Sequence, residues 1–204
     1  MKKLWIGALI GAFGLGFGAK LLVDKHNETL LKQAELAQLA KVSESVLFGE
    51  GGEPVAIFDG SDPRIRIVYF GFTRCPDVCP TSLAMLAGAL NQIDDQAKQT
   101  LRPMFVSLDP ERDAAEASAE YAHYFHPMIE GLSAPLDVTK PLAHKYGVIF
   151  RKTELKDSKL GYTLDHSSYF YFLKPDGTLI EKVPHTLTPA PIIEAIKRIN
   201  SQEK

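Results

Sequence analysis

Two short apolar runs separated by a helical segment set the strongest limit on how this chain can fold. Ile65 to Phe70 reads IRIVYF and Met104 to Leu108 reads MFVSL, both rich in β-branched and aromatic residues, and both have the pattern of interior strands. Between them Leu83, Leu86, Leu90 and Ile93 recur at helical spacing. A second helix is expected over Asp113 to Phe125, where the alanines, Glu116, Glu120 and Tyr121 are mostly good helix formers. It leads through Leu132 and a short helix near Pro141 to Tyr146 into a strand around Val148 to Phe150.

Ser168 to Leu173 and Thr178 to Val183 flank Lys174, Pro175, Asp176 and Gly177, whose turn chemistry predicts an antiparallel hairpin. A last helix begins with Thr188 as N-cap and Pro189 at the first helical position, and buries Ile192, Ile193, Ile196 and Ile199. Strand, helix, strand, helix, then two strands and a helix is the order of a thioredoxin-like fold, an α/β architecture in which a mixed sheet is flanked by helices.

With 204 residues and 45% apolar composition, the chain builds one core plus some extra material. The formal charge of −2 and the interspersed acids and bases leave no basic field, which sets nucleic acid aside as a partner. The extra material is at the front. Lys2 and Lys3 precede an almost uncharged run, Leu4 to Val23, close to the roughly 20 residues that span a bilayer. Lys20 lies near its far end, where it can snorkel to the interface.

The lysines favour a cytoplasmic start, which sends the rest of the chain outside. A cleaved signal peptide, cut near Gly16, Gly18 and Ala19, is the competing reading, and the length of the run favours an uncleaved helix. Gly7 with Gly11, and Gly14 with Gly18, have small-xxx-small spacing, a weak dimerisation signal. The expected organisation is a membrane anchor over 1–23, a stalk over 24–53 ended by glycines 49, 51 and 52, and a thioredoxin-like domain over 54–204.

The only two cysteines, Cys75 and Cys79, stand in GFTRCPDVCPTSL, at the carboxyl end of the first strand and the start of the first helix. Open α/β sheets place ligands there. With Pro80 as the first helical residue and Cys79 near the cap, free amides and the helix dipole favour thiolate. An inert structural disulfide is disfavoured, since so short a loop restrains the unfolded chain little. A redox pair and a metal clamp remain, and a third ligand decides between them.

His166, in DHSSYFYF just before the penultimate strand, reaches the cysteine edge of the sheet in this fold. His123 and His126 are three apart on a helix that Pro127 ends, while His26, His144 and His185 have no evident partner and read as solvated or interfacial. Two thiolates and an imidazole suit Cu(I) in a low-coordinate site and also hold Cu(II), whereas zinc usually finds a fourth ligand. Copper, one ion per domain, is therefore the expected metal.

GFTRCPDVCPTSL, FVSLDPERD from Phe105 to Asp113, and DHSSYFYFLKPDG from Asp165 to Gly177 together resemble the Sco (SenC) family of copper-handling, thioredoxin-like membrane proteins. The resemblance runs from about Val68 to the final helix. It implies a single membrane anchor, a soluble domain in the periplasm or mitochondrial intermembrane space, and a part in maturing the dinuclear copper site of cytochrome c oxidase. It also implies copper binding by Cys75, Cys79 and His166. Asp77 and Asp165 lie inside these motifs as candidates for ligand support or partner recognition, and Asp109 is expected to cap the next turn rather than orient a ligand. One departure is expected: only EPVAIFDGSDPR stands where the family has a longer strand-rich segment with a hairpin.

Two functions follow. The first is a copper chaperone serving the copper-bearing oxidase subunit from a bacterial inner membrane, with its domain in the periplasm, a copper donor upstream and a thioredoxin-like reductant for its thiols. The second is a periplasmic thiol-disulfide oxidoreductase that keeps copper-site cysteines reduced, with Cys75 and Cys79 as its redox pair. Three residues between the cysteines, where thioredoxin enzymes have two, and the lack of proline between Val148 and Lys174 favour the chaperone. Nothing beyond the fold suggests a peroxidase.

Overall fold

The computed structural model describes residues 20, 23–33, 45–156 and 158–202. The chain divides into two units, Met1–Lys41 and Val42–Lys204. In the first, residues 23–33 are helical and exposed, with Glu28 and Lys32 paired one turn apart at 3.2 Å. The anchor expected over Leu4 to Val23 lies outside the described residues apart from Lys20 and Val23, and among the described residues no helix is long and apolar enough to cross a membrane.

The second unit runs β1 (Val46–Phe48), β2 (Pro54–Ala56), β3 (Ile65–Gly71), α1 (Val78–Gln92), α2 (Asp95–Gln99), β4 (Leu101–Ser107), α3 (Ala115–Phe125) and β5 (Glu130–Leu132). It continues through α4 (Leu136–Lys145), β6 (Phe150–Glu154), β7 (Tyr162–His166), β8 (Tyr169–Leu173), β9 (Leu179–Pro184) and α5 (Ala190–Gln202). One sheet takes the order β5-β4-β3-β8-β9, parallel across β3–β4 and β4–β5 and antiparallel across β3–β8 and β8–β9. This is the expected thioredoxin-like arrangement of a mixed sheet and helices.

All seven residues of β3 are buried, because the strand is covered on both faces. Tyr69 stacks beside Phe170 at 5.2 Å on the face where Phe105 meets Tyr121 of α3, also at 5.2 Å. Phe70 meets Tyr171 at 5.6 Å on the other face, and Tyr171 in turn meets Tyr146, the C-cap of α4, at 6.0 Å. An apolar run with no polar alternation is what a strand buried on both sides requires.

The segment ahead of β3 corrects the sequence reading. Val46–Phe48 and Pro54–Ala56 pair antiparallel, and Phe48 bridges to Ser133 just past β5, so the leading hairpin read as reduced to EPVAIFDGSDPR is present. Its first strand falls inside the segment read as stalk. Glycines 49, 51 and 52 turn the chain rather than ending a helix, with Gly51 and Gly52 at φ of 69° and 74°. Strands of three residues carry too little alternation to be read from sequence.

Arg66, fully buried in β3, fastens the loop that leads from β2 into that strand. Its guanidinium donates to the carbonyls of Ile57 at 3.2 Å, Asp59 at 3.0 Å and Asp62 at 2.7 Å, and to that of Arg64. A buried guanidinium is tolerated because its donors are matched in this way.

A second correction concerns residues 150–166. A strand was expected only near Val148 to Phe150, but β6 and β7 form a separate antiparallel pair from Phe150↔His166 to Glu154↔Tyr162. The residues of β6, FRKTE, are mostly exposed and show no apolar face to read.

Gly131 in β5 shows how closely α3 lies on the sheet, since a Cβ there would stand 1.9 Å from the Ser118 carbonyl oxygen. Gly131→Ala is expected to destabilise the fold by about 3 kcal/mol, because backbone rather than a side chain must move. Gly60→Ala, with nothing within 4 Å, should fall within about 0.5 kcal/mol of the parent. Equal urea midpoints for the two variants would refute this account of the packing.

Candidate metal centre

Strand β3 stops at Gly71, and a six-residue loop carries the chain into α1. Cys75 sits in that loop, its N–H donating to the Phe72 carbonyl at 3.3 Å. The helix begins at Val78 with Asp77 at the N-cap, two residues before the start expected from Pro80. Cys79 is thus inside the first turn, where helix N–H groups lack internal partners. Its own N–H donates to Cys75 Sγ at 3.4 Å. The first turn therefore presents an amide to the first sulfur.

The loop is held from behind by a buried carboxylate. Asp113 accepts from Thr73 N at 2.9 Å, Thr73 Oγ1 at 2.5 Å and Ser107 Oγ at 2.7 Å, tying the cysteine loop to the end of β4. Gly71 makes room for the second sulfur, since a Cβ there would stand 2.9 Å from Cys79 Sγ. Neither residue was singled out from the sequence. Asp113 enters the sequence reading only as the end of a motif and the start of a helix, and the need for Gly71 arises from a helix residue eight positions on.

His166 closes the site from the end of β7. Its Nε2 lies 3.3 Å from Cys79 Sγ, and its Nδ1 lies 3.0 Å from the Ser167 carbonyl oxygen. That oxygen only accepts, so Nδ1 donates to it and Nε2 is the ring nitrogen that faces the sulfurs. Phe72 and Tyr69 meet the imidazole edge-on, with centroids 5.8 and 6.4 Å away. The Tyr69 hydroxyl is buried without a hydrogen-bond partner among the described residues.

Sγ of Cys75, Sγ of Cys79 and a ring nitrogen of His166 all lie within 4.8 Å of one another, which is able to hold a metal ion. The two sulfurs differ. Cys79 donates to Cys75 and holds its thiol down at about 4 against the opposing effect of burial, with His166 and the amides of Cys79 and Asp77 helping. The same bond, burial and the neighbouring negative charge push the Cys79 thiol up. Both cysteines are free thiols, Cys75 half-buried and Cys79 buried.

The other candidates lie elsewhere. Asp77 is exposed and makes no side-chain cap. Asp165 accepts from Thr153 Oγ1 at 2.7 Å and Arg151 at 3.2 Å, bracing β6 against β7. Asp109 does not cap the next turn with its side chain; its carboxylate bonds Arg112 and Tyr162. His126 accepts from Met128 N at 3.1 Å, and His123 faces Glu50 at 4.0 Å, so the two make no chelate. His185, read as partnerless, has its Nδ1 2.8 Å from the hydroxyl of buried Ser82, one turn beyond Cys79.

Fold and site define a thioredoxin-like protein whose helix-terminal thiol pair faces an imidazole in a metal-capable cluster. The SCO1/SenC family model matches residues 38–201, and the chain belongs to that family. Protein SCO2 homolog, mitochondrial, of Homo sapiens is 32% identical over 204 residues, covering 96% of this chain and 74% of the relative. Protein SCO1 homolog 1, mitochondrial, of Arabidopsis thaliana is 40% identical over 115 residues, 56% of this chain and 34% of that protein. The matched stretch is likewise only 39% of the length of Saccharomyces cerevisiae SCO2. Among solved structures, Arabidopsis thaliana ScoI with copper bound superposes with a TM-score of 0.67 at 32% identity, covering 76% of this chain and 96% of that one. Apo Sco1 from Thermus thermophilus gives 0.66 at 31%, covering 76% and 88%.

The two thiols should be chemically distinct. In metal-free protein Cys75 is expected to react with iodoacetamide well before Cys79, with a rate that rises through an apparent pKa far below 9 because the thiolate already accepts hydrogen bonds. Mass mapping of the first alkylated cysteine against pH is the measurement. Equal labelling at pH 6, or Cys79 first, would contradict the asymmetry.

Proposed function

We propose that the chain is a copper chaperone that holds one copper ion through Cys75 Sγ, Cys79 Sγ and His166 Nε2 and delivers it to the dinuclear copper site of cytochrome c oxidase. The observation that carries the reading is the meeting of these three atoms within 4.8 Å. Two sulfurs and one imidazole nitrogen form a soft donor set suited to Cu(I) and tolerant of Cu(II). Among the described residues the cluster has no fourth His, Cys, Asp or Glu ligand, which disfavours a closed tetrahedral zinc site. ScoI from Arabidopsis thaliana and from Bradyrhizobium japonicum, both solved with copper bound, support copper as the cargo.

In this reading the chain starts on the cytoplasmic side of a bacterial inner membrane, spans it once with Leu4 to Val23, and works in the periplasm. Its partners are the copper-bearing oxidase subunit, a copper donor, and a thioredoxin-like reductant that keeps the two sulfurs open for metal. Fractionation tests the anchor: the protein should stay with membranes after lysis, and a soluble form beginning near Ala19 or Lys20 would establish the cleaved-signal reading instead.

The stabilised Cys75 thiolate also favours a second reading, a thiol-disulfide oxidoreductase acting on copper-site cysteines. His166→Ala separates the two. Losing a ligand should weaken copper binding by more than about a hundredfold, since even outer partners of a ligand are worth about 10- to 100-fold. Thiol exchange should change modestly, because the largest influence on Cys75 comes from Cys79. Cells carrying only this variant are expected to lose oxidase activity while thiol exchange persists. Normal oxidase assembly in those cells would transfer the assignment to the reductase.

A further inference from the structure

The pair β6–β7 is a sheet of its own, with no ladder to the five-stranded sheet that carries the cysteine loop. His166, its last residue, is tied to that sheet by the two-residue link Ser167–Ser168 into β8, which pairs with β3, and by the ring of Phe72; the rest of β7 has no ladder to that sheet and depends on side chains for its seat. Nε2 and Cys79 Sγ meet at 3.3 Å across 87 residues of sequence.

Along β7, Tyr162, Leu164 and His166 share one face by the two-residue strand period. At the far end of that face the Tyr162 hydroxyl donates to Asp109 Oδ1 at 2.7 Å, and Arg112 Nε donates to Asp109 Oδ2 at 2.5 Å. The Arg112 guanidinium lies 3.6 Å from the centre of the Tyr162 ring, and its Nη1 reaches the carbonyls of Tyr162 at 3.0 Å and Leu160 at 3.3 Å. Lys152 covers the same ring at 3.7 Å while bonding Glu111. Asp109 is only 4% exposed and the Arg112 side chain is nearly as buried, so the ion pair at the centre of the clamp is shielded from water while Lys152 and Glu111 form its exposed rim.

The clamp belongs to the turn that holds the other half of the site. Ser107 Oγ accepts from Asp109 N at 3.0 Å and donates to Asp113, which in turn accepts from Thr73 in the cysteine loop. Both halves are thus referenced to residues 107–113 at the end of β4.

We propose that Asp109 is a positioning residue for metal binding: through Tyr162 and Arg112 it seats the hairpin bearing His166, while Asp113 of the same turn seats the cysteines. The residues FVSLDPERD thereby act as a bracket that sets the Cys79–His166 separation. The inference rests on the copper reading for its consequence, and its geometry is independent of it.

The test is a double-mutant cycle on the full-length protein in detergent, with Cu(I) affinity measured against a chromophoric chelator. Tyr162→Phe keeps the ring under Arg112 and removes the bond to Asp109. It should weaken Cu(I) binding about tenfold, as outer partners of metal ligands do. In a His166→Ala background the same change should have no further effect, because Tyr162 acts through the imidazole. In metal-free protein the 15N resonances of the His166 ring, assigned by their loss in His166→Ala, should shift or split in Tyr162→Phe. Asp109→Asn, which removes the charge facing Arg112, should act in the same direction and serves if Tyr162→Phe does not fold.

Additive losses in the cycle, or unchanged ring resonances, would overturn the bracket. If His166→Ala left copper binding intact, the copper reading would lose its third ligand, and the ring resonances alone would decide whether the hairpin is seated as inferred.

Discussion

Strand β3 pairs along both edges, parallel with β4 and antiparallel with β8, and none of its seven residues reaches solvent. A strand so placed cannot slide or turn over without exposing Tyr69 and Phe70 together, since each face is packed. Its carboxyl end is therefore a rigid point. The loop bearing Cys75 starts from that point, and α1 starts where the loop ends. Gly71, the last residue of the strand, leaves a gap that the Cys79 sulfur fills.

From that point the chemistry follows by proximity. One sulfur lies near the first amides of a helix and accepts hydrogen bonds, while the other is buried beneath it and supplies one of them. The pair shares a proton, with the negative charge on the outer, half-buried sulfur. In the proposed copper site a soft cation reaching Cys75 would displace the proton of Cys79, and His166 Nε2 would supply the third donor. The same asymmetry would suit thiol exchange, in which an outer thiolate attacks and an inner thiol resolves. One arrangement of atoms thus supports both chemistries, and the imidazole distinguishes them.

Polar residues join the parts of the site alongside the rings of Phe72 and Tyr69 that meet His166. Asp113 binds the cysteine loop, Asp109 binds the hairpin, and Ser107 joins the two carboxylates. Buried hydrogen bonds of this kind are directional, so they fix distances in a way that apolar contacts do not. Arg66 does the same work on the far side, gathering the carbonyls of the leading loop around one guanidinium.

What the sequence by itself determined was local. The apolar run of β3, the helical spacing of Leu83, Leu86 and Leu90, the turn at Pro175 to Gly177 and the spacing of Cys75 and Cys79 all act within a few residues, where periodicity and backbone preference report directly. The element order then pointed to the edge where His166 would arrive. Tertiary structure decided the rest: the short leading hairpin, the polar pair β6–β7 with no apolar face, the partner of His185, and the roles of Asp109, Asp113 and Gly71. Each depends on contacts between residues far apart in the chain, and an isolated aspartate or glycine in a loop carries no periodic signal of what it will touch once the sheet has formed.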